Sequence, residues 1–490
     1  MEPSLIGRLA DVATTGGAPA RGRRGNPPRH GGRAHQARRA ACGGLVVLAL
    51  MTAGTGPATA RAGAQSAPGY TIGGKSCLVD GAVASGVCYL TGDIPAGQTF
   101  TFNATKNEGQ LQVTGPTTIK GTLAVDNGGA NGAFAWVTGG GSLTVASGGT
   151  LSTTGPSDSS GDYIQVPLTN QAGGTVDFAV LGPPPTDSRA GTSFDNGTPT
   201  VNSGTFDIAH GASVLFTEGS TFTQSAGTLK VNGALMVSGS GAKFTLAGGT
   251  ESGAPVDVQS ATLVEGPGRI GFDLTGICTL TGDIPAGQTV TLDGRPSNAS
   301  VYLTGPTTVK GTLVLAAGGL SYANVNYAKG TSLAVASGGT LSTTGPSGSQ
   351  GAYFQVPLTV QAGGKVDIAA RTGFADGTRT VNSGAFDIGH GGQVVLGGGS
   401  TLTNKATGTL GATVDARTKT VSGITGPGVA LKGTLAVTTM GSPAVGSSYV
   451  AIGGPVTGKF SAYSFGHQRY SVRYTSGKAS TNEVLLTFKG

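Results

Sequence analysis

Four aspartates have the types and settings best suited to chemistry. Asp177 and Asp207 each stand between two apolar residues (Val176 and Phe178, Phe206 and Ile208), and Asp367 and Asp387 repeat them later in the chain. On a β-strand this flanking turns the carboxylate outward. If neighbouring strands stack, Asp177 meets Asp207 on one face, and paired carboxylates are what hydrolysis of a glycosidic bond requires. No cluster of Arg, Lys or aromatic residues surrounds them in the sequence. Both copies keep the positions, so an exposed acidic face of structural origin is the simpler expectation, and no catalytic residue is assigned.

The other candidates are weaker. His210 and His390 follow the Asp207 and Asp387 segments by three residues and are placed to pair with those carboxylates. No second His or Cys stands at ligand spacing, so neither a metal nor a cofactor is expected. Gly73-Gly-Lys-Ser76 lacks the spacing of a phosphate loop. Thr-x-Thr pairs (Thr99/Thr101, Thr221/Thr223, Thr289/Thr291, Thr401/Thr403) suggest an outward threonine ladder, but they lie far apart and β propensity accounts for them.

The four cysteines bear on compartment. Residues 1–64 read as a leader: an Arg-rich stretch, the apolar run Leu45-Val-Val-Leu-Ala-Leu-Met51, then Ala58-Thr59-Ala60, the form that signal peptidase accepts. Export permits disulfides, and Cys77 and Cys88 flank a short Gly/Ala/Val segment that a local bridge would staple. Cys278 occupies the repeat position of Cys88 and is expected to be a buried thiol.

The leader also accounts for the charge. Residues 1–61 hold nine of the 31 basic and two of the 24 acidic residues, leaving 22 of each beyond. A near-neutral remainder lacks the positive footprint that nucleic-acid binding needs. No later segment has the length and hydropathy of a transmembrane helix.

The elements that position these residues are short strands in a long duplication. Cys88-Tyr-Leu-Thr-Gly-Asp-Ile-Pro-Ala-Gly-Gln-Thr99 returns 190 residues later as Cys278-Thr-Leu-Thr-Gly-Asp-Ile-Pro-Ala-Gly-Gln-Thr289. Residues 144–168 and 334–358 agree at 20 of 25 positions, and later the offset falls to 180, with Val201-Asn-Ser-Gly204 matching Val381-Asn-Ser-Gly384. The missing residues fall near Pro183-Pro-Pro185, so 182–193 is expected to be a surface loop. Units of Gly-x-apolar-x-apolar recur, such as Gly121-Thr-Leu-Ala-Val125 and Gly204-Thr-Phe-Asp-Ile208. Their period of two is that of a half-buried strand, and no helical period is sustained after the leader.

With 89 Gly in 490 residues, disorder is the alternative, yet 37% of residues are hydrophobic and the strand units phase them. Short strands, frequent turns and few aromatics suit a parallel β-helix better than a sandwich, because each coil then pairs with the coils on either side. The Gly-Thr-Leu-x-Val units, the Ala-Ser-Gly-Gly-Thr-Leu phrases and the Leu-Thr-Gly-Asp-Ile-Pro-Ala-Gly-Gln turn resemble secreted bacterial β-strand-repeat surface proteins, including adhesin-like and autotransporter-passenger-like ones. That resemblance implies a right-handed parallel β-helix and carries no catalytic residue across. It departs from autotransporters because no run of long alternating strands is present to build a membrane barrel.

The expected organisation is a leader with signal peptide at 1–64, a first β-helix copy with an N-terminal cap at 65–277, and a second copy at 278–442. A C-terminal β-hairpin cap at 443–490 is read from its aromatic-rich strands Tyr470–Tyr474 and Val484–Phe488. The expected role is a secreted, non-catalytic structural or adhesin-like protein of the cell surface or matrix. Its partner would be a cell-envelope polysaccharide or a host or neighbouring surface. The alternative is a polysaccharide-active lyase or glycoside hydrolase using the aspartate face.

Overall fold

The Gly of each Gly-x-apolar-x-apolar unit marks the place where one coil bends against the next. A Cβ built on Gly121, Gly204 or Gly433 would run into carbonyl oxygens of the preceding coil (Gln98, Gly174 and Gly408 respectively). Glycine is therefore required by close approach, and the strand that follows starts on the solenoid wall. The computed structural model describes residues 70–73, 86–104, 109–126, 135–156, 161–181, 191–346, 349–476 and 482–490. The segment read as a leader, and Cys77, lie outside the described residues.

Every regular element among the described residues is a strand, and the chain winds them into a parallel β-solenoid. Strands follow one another around three faces. On the first face Gly109–Val113 pairs in parallel with Ala135–Thr138, which pairs with Asp162–Ile164. On the second, Pro116–Ile119 pairs with Ser142–Val145 and then Leu168–Asn170. The third is split into two seven-stranded blocks, Thr99–Asn103 to Thr250–Gly253 and Pro306–Val309 to Val456–Gly458. Alternate residues point inward, giving burial patterns such as that of Thr205–Ile208, where Phe206 and Ile208 are fully buried. In the first copy the core is a column of rings, with Phe206, Phe222, Phe244 and Phe272 in succession at centroid spacings of 4.9–5.3 Å.

The duplication does not repeat in place. The Cys88 strand lies on the first face, but the Cys278 strand pairs on the second. Thr175–Leu181 and Thr205–Ile208 are on the third face, whereas their counterparts Lys365–Ile368 and Ala385–Ile388 are on the first. The second copy is thus turned by one face relative to the first. The turn is taken up around residues 254–305, where two successive coils contribute strands only to the first and second faces.

A buried polar ladder runs along the corner after the second face. Asn170 Nδ2 donates to Asn202 Oδ1 at 2.7 Å, and Asn202 Nδ2 donates to Gln224 Oε1 at 2.8 Å. The same amides also satisfy backbone carbonyls, Asn170 that of Thr205 and Asn202 that of Thr228. In the second copy Asn382 donates to Asn404 at 2.7 Å. The repeated Val-Asn-Ser-Gly phrase therefore marks a structural rung.

The loop expected at 182–193 ends sooner than read. Thr192–Phe194 is a strand of the first face, paired with Asp162–Ile164, because Phe194 has an inward place in the ring column. At the C-terminus Tyr470–Ser476 and Asn482–Phe488 pair antiparallel, and Asn482–Phe488 also pairs antiparallel with Ser448–Gly453. Phe465, Tyr470 and Phe488 pack ring against ring there, and the Tyr470 hydroxyl hydrogen-bonds Thr439 Oγ1 at 2.8 Å.

Candidate functional site

Stacking brings both aspartate pairs together. Asp177 is in register with Asp207 on the third face, and Asp367 with Asp387 on the first. Burial, and then the neighbouring Asp207 charge, raise the Asp177 carboxyl above the ordinary aspartate range. Burial followed by Asp367 does the same for Asp387. The pairs are not free of cations, contrary to the sequence expectation. Lys230, one coil on, reaches Asp207 at 3.1 Å, and Lys365, two residues before Asp367 on the same strand, reaches it at 2.9 Å. Folding supplies these lysines across coils and along the strand, so each acidic pair carries its own counter-ion.

His390 does not turn to Asp387. Its Nδ1 lies 3.6 Å from Asp415 Oδ2, because the strand Thr409–Asp415 extends past the corner to meet it. No group of three or more His, Cys, Asp or Glu among the described residues is arranged to hold a metal ion.

The Thr-x-Thr pairs themselves are spread over the three faces and do not stack on one another, but a different set of threonines does. Thr99, Thr122, Thr150, Thr175, Thr205, Thr228 and Thr250 form one column along the third face, each in register with the next. The adjacent outward row holds Thr101, Ala124, Ser152, Asp177, Asp207, Lys230 and Ser252, so the face is a mixed polar wall and not a uniform hydroxyl plane. Trp136 and Tyr163 stack on the first face with centroids 4.3 Å apart.

The aspartate of the repeated Leu-Thr-Gly-Asp-Ile-Pro phrase also has a structural task. Asp93 accepts from the Thr118 backbone N–H and pairs with Lys120 at 3.0 Å, and Asp283 does the same with Thr308 and Lys310. The Lys120 hydrogen bond, outweighing burial, holds the Asp93 carboxyl below its usual range.

Cys88 is disulfide-bonded and buried. Its expected partner, Cys77, lies outside the described residues. Cys278 is a free, fully buried thiol whose Sγ approaches the carbonyls of Val258 and Thr275 at 3.3 and 3.2 Å. Burial raises its pKa. A thiol that is buried and un-ionised reacts only through opening of the fold. Cys278 should stay unlabelled by a maleimide in native buffer at pH 7 and label within minutes in denaturant, as read by mass spectrometry.

Two further residues lie where the third face is broken. Glu265 continues the inward alternation of Thr262–Val264 and is 8% exposed. Neither of its carboxylate oxygens has a hydrogen-bond partner, and both polar side-chain atoms of Gln288 are likewise buried without one. Burial pushes the Glu265 carboxyl up to about 8, and the nearby Gln288 amide, although it forms no hydrogen bond with it, acts in the opposite direction.

No family model matches the chain, and no curated protein matches it. Among solved structures, a TibA fragment hyper-glycosylated by TibC is similar. It is 15% identical, with 75% of this chain and 100% of that one covered at a TM-score of 0.27. So distant a likeness carries no argument about role, and the fold stands on the strand pairing itself. No helix among the described residues is long and apolar enough to cross a membrane.

Proposed function

We propose that the chain is a secreted, non-catalytic surface or matrix protein that attaches to a saccharide or a neighbouring surface through the outward rows of its solenoid. The observation that carries this reading is the long parallel ladder, which presents hydroxyl-rich rows coil after coil. The two stacked aspartate pairs support it, since one member of each is bound to a lysine. Deleting residues 70–440 should abolish attachment of the producing cells to their surface or matrix, and unchanged attachment would overturn the reading.

A polysaccharide-cleaving enzyme is the second reading, favoured by one observation: Asp177 and Asp387 have carboxyls raised beside a second carboxylate, as an acid catalyst requires. Release of reducing sugar from a polysaccharide panel, abolished by Asp207→Ala with Asp387→Ala, would establish it in place of the first. We expect no such release.

A further inference from the structure

We propose that the corner between the first and second faces of the second copy binds a carboxylated sugar of an acidic polysaccharide, with Arg371 as the carboxylate-binding group. The inference deepens the adhesive reading above and rests on it. At this corner the strand Thr409–Asp415 runs past the coil, reverses, and returns as Thr420–Ser422 in antiparallel pairing before Ile424 rejoins the second face. The reversal places Lys419 at a φ of 56°, a conformation that only a tight turn imposes on such a residue. This hairpin walls a cleft of 790 Å³. Sites for small molecules span roughly 300–1,000 Å³, so the space suits a short run of sugar rings.

The lining has the chemistry of an acid sugar. Arg371 is exposed, and its Nη1 donates to the Tyr353 hydroxyl at 2.9 Å and to the Gln350 carbonyl at 3.5 Å. These contacts hold the guanidinium in place, and no carboxylate pairs with it among the described residues. A planar guanidinium with donors to spare matches a carboxylate in a two-pronged contact. No Asp or Glu is among the described residues that line the cleft, so none there competes for the guanidinium. Val421 and the exposed Val450 supply an apolar wall for the C–H face of a pyranose, and Gln393 and Thr420 present polar groups for its hydroxyls.

The first copy has none of this. Gly191 stands where the second copy has Arg371, and only two residues separate Thr228–Val231 from Ala234–Ser238, with no hairpin between. The two copies share Tyr163 and Tyr353, but the guanidinium and the hairpin wall are present in the second only.

The test is binding of the purified full chain to polygalacturonate, to its methyl ester and to dextran sulfate. Polygalacturonate should bind, and the methyl ester, which keeps the rings and loses the charge, should bind at least tenfold more weakly. Arg371→Gln should weaken polygalacturonate binding at least tenfold, and Gln393→Glu, a change on an exposed side chain, should do so by repulsion. Equal binding of the methyl ester overturns the proposal, as does unchanged polygalacturonate binding by both variants. Tighter binding of dextran sulfate that survives Arg371→Gln would mark plain polyanion attraction and also overturn it. Cell attachment separates this site from the broader reading. If attachment depends on 70–440 but not on Arg371, adhesion stands and the cleft does not.

Discussion

Asn202→Val is expected to destabilise the protein by about 3–5 kcal/mol, measured by urea unfolding at pH 7, because it empties the middle rung of a buried amide ladder. Asn202 donates to Gln224 and to the Thr228 carbonyl while accepting from Asn170. Valine removes all three contacts and leaves buried polar groups that no water can reach, each costing about 1–3 kcal/mol. The second copy supplies an internal control. There Val360 is in register with Asn382, just as Asn170 is with Asn202, so the end of a ladder tolerates an apolar residue. Asn170→Val should accordingly cost only about 1–2 kcal/mol, since its neighbour keeps its other partners. Equal losses at the two positions would show that the amides fill space without acting as a hydrogen-bonded series.

Glu265→Gln is expected to stabilise the protein above pH 8 and to leave it nearly unchanged at pH 4. The carboxyl is neutral in folded and unfolded chains below its ordinary value of 4.5, so burial then carries no charge penalty. As pH rises from 4.5 to about 8, the unfolded chain ionises while the folded one resists, and stability falls; above about 8 the full penalty is present. At about 1.4 kcal/mol per unit of pKa difference, the loss approaches 5 kcal/mol as an order of magnitude. Glutamine keeps the shape and removes that slope. Melting temperatures of the two proteins across pH 4–9 should converge at the acid end and diverge at the alkaline end. Parallel curves would mean that Glu265 finds solvent or a partner when it ionises. Asp177, Asp195, Glu251, Asp257 and Asp387, also raised by burial, contribute a slope of the same sign to both proteins, so the difference between the two curves reads Glu265 alone.

What the sequence made legible was what repeats with a period of two. Phe206 and Ile208 point inward and Asp207 outward because alternation on a strand leaves no other choice, and the buried Cys278 followed from its place in the same pattern. What escaped depends on which coil stacks on which. Lys230 is 23 residues from Asp207, and only a coil length fixed by folding makes them neighbours. The column from Thr99 to Thr250 is hidden in the sequence for the same reason, since its members lie a coil apart. The cleft arises because Thr409–Asp415 overshoots its corner and eight residues, 416–423, separate it from Ile424, where two separate the matching strands of the first copy. Glu265 could have been found: it is an acidic residue at an inward position of an otherwise apolar alternation, the kind of conflict that marks a special site.

The turn of one face between the copies has a consequence for how such a rod can grip. Equivalent patches, such as Asp177/Asp207 and Asp367/Asp387, lie on different faces of the solenoid, the third and the first. A flat target can engage one of them but not both, so duplication brings no avidity on a single plane. Two targets on different sides of the rod can be held at once. Under the adhesive role proposed above, that arrangement suits bridging of two layers better than lying along one.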